Sequence, residues 1–247
     1  MKETTLLSSH DATAHSPRSA ARLNLGCGND YREGYVNVDM HASHRVDLVS
    51  DVASLRMIAD LSCSEVLAQD VLEHIQRPRA GTALREWNRV LAPGGCLTLR
   101  VPSLIHLLEL MKAPSRQTAE AQRLLIQCLY GTQGYEGDFH FNGFTEITLR
   151  DELADAGFEV KESTIVDEWM FQVDARKVSH VPPDSLLLID SDEEFVTQAY
   201  SKLLGREADR GGLDYYVAVI ERGCAREAVL ESLKGSVEYQ SRLASRI

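Results

Sequence analysis

The sequence predicts an α/β protein whose sheet is flanked by helices on both faces, and three observations predict it. Short apolar runs of strand type alternate with amphipathic helical stretches. Glycine- and proline-rich stops separate them. The first two runs flank a glycine-lined turn in RLNLGCGNDYREGYVNVDM (residues 22–40), and the second run ends in an acid.

Residues 1–20 are polar, without the basic-then-apolar pattern of a leader, and are expected to be a disordered tail. Strands are expected at Leu23–Gly26, Tyr35–Asp39, Val66–Gln69, Cys96–Val101, Phe158–Ile165 and Met170–Arg176. Helical spacing falls at Ala80–Leu91, Ile105–Met111, Thr118–Tyr130 and Leu149–Ala156. Ala92-Pro93-Gly94-Gly95 and Asp155-Ala156-Gly157 stop two of these helices, because proline cannot continue one and glycine admits positive φ. Asp51 reads as the N-cap of a further helix over Val52–Ile58. This first domain is placed at 21–180.

Val181-Pro182-Pro183-Asp184 opens a stiff linker, taken as 181–192. Beyond it, at 193–247, Phe195, Val196, Ala199, Tyr200, Leu203 and Leu204 keep helical spacing, followed by similar stripes at Leu213–Ile220 and Ala228–Leu233. The reading is a small all-α module of three or four helices. At roughly 55 residues such a unit is marginal alone and leans on the first domain or a partner.

Composition narrows the function. The formal net charge is −11 over 247 residues, which argues against nucleic acid or an anionic membrane as main partner. No apolar run approaches the roughly 20 residues of a membrane-spanning helix, so no membrane insertion is expected and the expected address is cytoplasmic. The five cysteines are widely spaced with no C-x-x-C, the pattern of reduced, mostly buried thiols.

Strand, glycine turn, strand and acid together describe a nucleoside-binding edge. A glycine lets the backbone approach a ligand where a Cβ would clash, and an acid closing the next strand can accept both hydroxyls of a ribose. Tyr31 stands where G-x-G-x-x-G would have its third glycine, which favours a ligand lacking a pyrophosphate.

The ordered segments LNLGCGN, VNVDM, SDVASL, AQDVLEHI and REWNRVLAPGGCLTLRVPS resemble those of Rossmann-like (class I) S-adenosylmethionine-dependent methyltransferases, over about residues 20–178. The opening resembles bacterial methyltransferases of the LNLGCG…VNVD type, many of which sit among polysaccharide-biosynthesis enzymes. The resemblance implies a seven-stranded sheet and S-adenosyl-L-methionine as cofactor. By it, Gly26, Cys27 and Gly28, flanked by Leu25 and Asn29, line the methionine part. Asp39 holds the ribose hydroxyls, Met40 packs on adenine, Asp51 and Val52 meet the adenine edge, and Gln69 and Asp70 line the methionine side. Many relatives carry a carboxylate where this chain has Asn24. The short span from Gly28 to Asp39 implies that the usual first helix is cut to a turn.

Methyl transfer to a hydroxyl needs alignment and a base. Glu73-His74 follows the third expected strand, and YGTQGYEGDFHFNGF (130–144) has the composition of a lid, with glycines at 131, 134, 137 and 143 read as hinges. His140 is the first candidate base, with Asp138 or Glu136 as its orienter, and His74 the second. Thr145 reads as a helix cap. No neighbouring carboxylates stand at the expected loop and the histidines lack ligand spacing, so no metal is expected.

The carboxyl-terminal module is similar to a helical domain of unassigned function that recurs in surface-layer-associated proteins and beside glycosyltransferases; Leu203–Tyr215 matches its LLGR-x-x-D-x-x-GL-x-Y core. Asp209 is read as opening a helix, and the module as a glycan-contacting, docking or homodimer unit. The leading expectation is O-methylation of a sugar or surface-glycan precursor. The rivals are O- or N-methylation of a small-molecule acceptor, and a non-catalytic cofactor-binding protein docked to a glycan-assembly complex.

Overall fold

The structure, a computed structural model, describes residues 20–135 and 137–244. All of the expected tail but Ala20, and the candidate Glu136, lie outside the described residues.

Seven strands form one sheet in the order β3-β2-β1-β4-β5-β7-β6. They are β1 (Ala21–Leu25), β2 (Val36–Asp39), β3 (Leu48–Val49), β4 (Cys63–Gln69), β5 (Leu91–Pro102), β6 (Phe158–Val166) and β7 (Met170–Lys177). The first five pair in parallel, with Leu23 opposite both Val36 and Val66. β7 runs antiparallel between β5 and β6. This is the expected Rossmann-like α/β sheet. The order reverses at β1, so ligands belong at the carboxyl ends of β1, β2 and β4.

The two faces are unlike. Leu23, Val66, Ala68, Leu97, Leu99, Val101, Val173 and Ala175 share one face and are buried in one apolar cluster. The helices α1 (Arg77–Val90) and α4 (Glu146–Asp155) lie on that face, contributing Ala83, Leu84, Trp87, Leu149 and Leu153. The alternate positions Arg22, Glu65, Thr98, Arg100 and Asp174 are polar and partly or fully exposed. Alternation of this kind is unusual in a parallel sheet, whose strands are normally apolar on both sides.

Local chemistry sets the helix ends. Pro78 sits in the first turn of α1, where its missing N–H costs nothing. Ser103 caps α2 (Leu104–Lys112) and Thr118 caps α3 (Ala119–Tyr130). Thr145 caps α4 as expected, in a reciprocal box with Thr148. Gly157, at φ +82°, follows the end of α4.

Asp51 starts no helix. Residues 51–58 are turns, in which Asp51 Oδ1 accepts from Ala53 N (2.9 Å) and Oδ2 pairs with Arg79. The segment is held from α1 instead. Trp87 Nε1 donates to Val52 O (3.0 Å), Glu86 accepts from Leu55 N (2.6 Å), and Arg89 donates to Leu55 O, Ile58 O, Glu86 and Asp60. Glu86 is fully buried, and the charge-assisted pair with Arg89 removes the cost of leaving either group alone.

The carboxyl-terminal helices α5 (Asp192–Ala199), α6 (Arg210–Glu221), α7 (Arg226–Gly235) and α8 (Val237–Ala244) gather around Phe195, Val196, Tyr200, Val229, Leu230 and Leu233. A π-helical turn, Tyr200–Leu204, extends α5, and Asp209 caps α6 through Gly212 N. Leu186 is buried in this same cluster. The second half of the expected linker therefore belongs to the module's core, because Leu186-Leu187-Leu188 forms a turn with an apolar side. The module meets the sheet domain through α1 and α7 and an Arg56–Asp190 ion pair.

Candidate functional site

The turn after β1 is built by side chains that grip backbone. Gly26 and Gly28 adopt φ +58° and +47°. At Gly26 a Cβ would lie 2.6 Å from Val71 Cγ2, so the main chain passes β4's carboxyl end at a distance only glycine allows. No helix forms between β1 and β2, as the short span implied.

Asp39 is buried at the end of β2. Its Oδ2 accepts from Gly28 N (2.9 Å) and its Oδ1 from His41 N (2.8 Å). The carboxylate thus joins the two loops lining the crevice, and each oxygen keeps a further lone pair for a ligand hydroxyl. Met40, next in sequence, is 62% exposed, so it packs in no core and is available as an apolar platform. Leu25 and Cys27 are buried, and burial followed by the Asp39 charge pushes the Cys27 thiol up to about 11, so it stays protonated. Asn29 is exposed and meets His44 (3.2 Å).

Asn24 is occupied. Its Nδ2 donates to Asp30 O (2.7 Å) and Asn37 Oδ1 (3.0 Å). Asn37 in turn accepts from Arg32 N and donates to Asp47. This buried amide network shapes the turn in place of a helix. Gln69 Oε1 accepts from Arg32 Nη2 (2.8 Å), and Asp70, at φ +56°, is paired with Arg100. Both stand at the crevice edge with a structural partner already in place.

The loop of residues 131–144 runs over this edge. Phe141 N and Asn142 N donate to Glu73 O (2.8 and 3.1 Å), which ties it to the end of β4. At its other side Tyr135 meets the His41 ring at 6.2 Å, beyond the end of β2. The loop thus reaches both the segment after β4 and His41 beyond β2. Gly131 is a close-packing position and not a hinge: a Cβ there would sit 1.9 Å from Asp138 O.

Beneath the loop the rings of His74 and His140 meet edge to face, 4.7 Å apart. His74 Nδ1 faces Phe139 O (3.2 Å) and His140 Nδ1 faces Cys128 O (3.1 Å). Burial lowers both imidazoles, and for His140 the neighbouring His74 adds to it. Asp138 does not orient them; its carboxylate accepts from Thr132 Oγ1, and backbone carbonyls do the orienting instead. Glu73 is 1% exposed, its Oε2 has no hydrogen-bond partner among the described residues, and burial pushes its carboxyl up to about 8. The sequence signalled Glu73 and both histidines but not their meeting, because His74 and the Phe139 carbonyl it faces stand 65 positions apart.

Residues 17–99 match the methyltransferase domain family. S-adenosyl-L-methionine is the cofactor of such a domain, and the glycine turn, Asp39 and Met40 lie within the matched stretch. Residues 189–243 match DUF4214, a domain of unknown function. No curated protein matches the chain. Among solved structures, the chain is similar to an S-adenosylmethionine-dependent methyltransferase of Methanosarcina mazei, at 20% identity and TM-score 0.47 over 64% of this chain and 92% of that one. A second is the Burkholderia thailandensis 1,6-didemethyltoxoflavin N1-methyltransferase, with 17% identity, TM-score 0.44, and 65% and 72% coverage. A third is a methyltransferase of Listeria monocytogenes described as S-adenosylmethionine-dependent, with 14% identity, TM-score 0.44, and 64% and 91% coverage. Among the described residues no helix is long and apolar enough to cross a membrane.

Proposed function

We propose that the chain is an S-adenosylmethionine-dependent O-methyltransferase acting on a sugar or surface-glycan precursor in the cytoplasm. The observation that supports it most is the crevice: a glycine turn facing a buried acid, an uncovered Met40 beside it, and a pair of histidines at its rim, His74 after β4 and His140 on the loop. The fit of the residues to the cofactor is direct. Gly26 leaves no room for a side chain, Asp39 has lone pairs to spare for ribose hydroxyls, and Met40 lacks an apolar partner that adenine would supply. Asp51 and Val52 border the adenine side, and Gln69 and Asp70 the methionine side.

The bound cofactor supplies a methyl group on a positively charged sulfur. The chain's part is to align the acceptor oxygen with that methyl and to remove the hydroxyl proton as the new C–O bond forms. His140, with His74 beside it, is the proposed proton acceptor, since burial keeps both imidazoles neutral and carbonyls hold their Nδ1 protons. The domain boundaries at 21–180 and 193–247 belong to the same proposal, with the helical module serving as a glycan-contacting, docking or homodimer surface.

The test is incubation with methyl-labelled cofactor and separate pools of nucleotide-sugars, oligosaccharides and small metabolites. Label in the sugar pools supports the proposal, and label only in the metabolite pool transfers the activity to another acceptor class. Full turnover in both His140→Ala and His74→Ala removes the base assignment.

A further inference from the structure

Glu73, His74 and His140 each bring one ligand atom within 4.8 Å of the other two. The polarity of these atoms is what makes the cluster informative. A carbonyl oxygen only accepts, so Phe139 O and Cys128 O place the imidazole protons on Nδ1 of His74 and His140. Each Nε2 then carries a bare lone pair. Glu73 Oε2 is buried with no partner among the described residues. With Glu73 ionised, two imidazole nitrogens and a carboxylate oxygen lie together with no donor between them among the described residues.

Acceptors gathered this way call for a positive charge. Imidazoles whose second nitrogen donates to a carbonyl are the usual arrangement of metal-ligating histidines, because the outer hydrogen bond fixes tautomer and ring direction. We infer that Glu73, His74 and His140 form a binding site for a divalent transition-metal ion, taken through the Glu73 carboxylate and the two Nε2 atoms. Ligand atoms around a tetrahedral zinc ion stand roughly 3.4 Å apart. Two nitrogens and one carboxylate oxygen suit zinc, cobalt or iron better than magnesium or calcium, which prefer oxygen alone.

The ion would fasten the loop carrying His140 to the end of β4, alongside the two backbone bonds to Glu73 O. It would also occupy the lone pairs proposed above to accept a proton, so metal loading and the proton-acceptor role exclude each other on one molecule. Binding of the ion does not rest on the transferase reading.

The experiment titrates ZnCl2 into the chelator-treated full chain by calorimetry, with Co2+ absorption as the spectroscopic signature. One saturable ion per chain is expected, bound at least tenfold more weakly by His140→Gln, His74→Ala and Glu73→Gln. The size-conserving His140→Gln and Glu73→Gln guard against loss of folding, and S-adenosylhomocysteine binding by each variant reports an intact crevice. Equal zinc affinity in the wild type and all three variants, or no saturable binding, overturns the inference. Loss of S-adenosylhomocysteine binding in the wild type would strike the transferase reading and leave the metal site standing.

Discussion

Asp39 carries two loads, and a pair of substitutions separates them. Its oxygens accept Gly28 N and His41 N at 2.9 and 2.8 Å, and the same carboxylate is assigned the ribose hydroxyls. Hydrogen bonds to a charged group contribute about 1.5–3 kcal/mol each, so Asp39→Ala removes at most about 3–6 kcal/mol of folding stability. Gly28 and His41 are half-buried, and water can reach both N–H groups, which brings the expected loss to about 2–3 kcal/mol. For a chain of this size that lowers Tm by about 4–12 °C. Asp39→Asn keeps the shape and one acceptor oxygen, and a smaller loss is expected. Ligand binding scales differently. Two lost ribose contacts weaken S-adenosylhomocysteine about 100-fold or more in Asp39→Ala, and one lost contact about tenfold in Asp39→Asn. Calorimetry at a temperature where both variants remain folded by circular dichroism measures this directly. If Asp39→Ala is destabilised as calculated yet binds with wild-type affinity, the acid only pins loops and the ribose assignment fails.

Three further outcomes follow from the same geometry. Asn24→Asp sets a carboxylate against Asp30 O and Asn37 Oδ1, so a loss of about 2–4 kcal/mol is expected in urea unfolding. Gly26→Ala places a Cβ 2.6 Å from Val71 Cγ2 at positive φ; it should destabilise by about 2 kcal/mol or more, and Val71→Ala in the same chain should recover the part due to contact. Glu152 on α4 has a buried, unpartnered Oε2 and a carboxyl raised by burial above its ordinary value of 4.5. The native state therefore holds this proton more tightly than the unfolded chain, and stability falls as pH rises from 4.5 through the folded value. Glu152→Gln should melt higher than wild type near pH 7, with the difference vanishing near pH 4.

The fold was readable because strands in this sheet carry a strong local signal. Leu23–Leu25, Val66–Ala68 and Leu97–Val101 are continuous or alternating apolar runs bounded by turns, and their expected limits differ from the observed strands by a few residues. β3 was not readable: Leu48–Val49 is two residues long and forms only because β2 offers it an edge. The helix expected after Asp51 failed for a related reason. Backbone groups at 52–58 are bonded by Trp87, Glu86 and Arg89 from α1, and no local pattern announces partners 30 residues away. At the site, Gly26, Gly28 and Asp39 were visible as a motif, whereas the Asn24–Asn37–Asp47 network that shapes their turn was not, since isolated asparagines carry no periodicity. The cluster of Glu73, His74 and His140 escaped for want of ligand spacing in sequence: its members meet only when the loop folds back over β4.

The central claim is that the crevice between the Gly26–Gly28 turn and Asp39 grips the nucleoside of S-adenosylmethionine. A crystal structure of the full chain with S-adenosylhomocysteine tests it most directly. The expected result is a ribose with both hydroxyls on the Asp39 carboxylate, adenine against Met40, and the sulfur facing the loop that bears His140. A nucleoside bound elsewhere, or a crevice that stays empty at saturating ligand, would contradict the account.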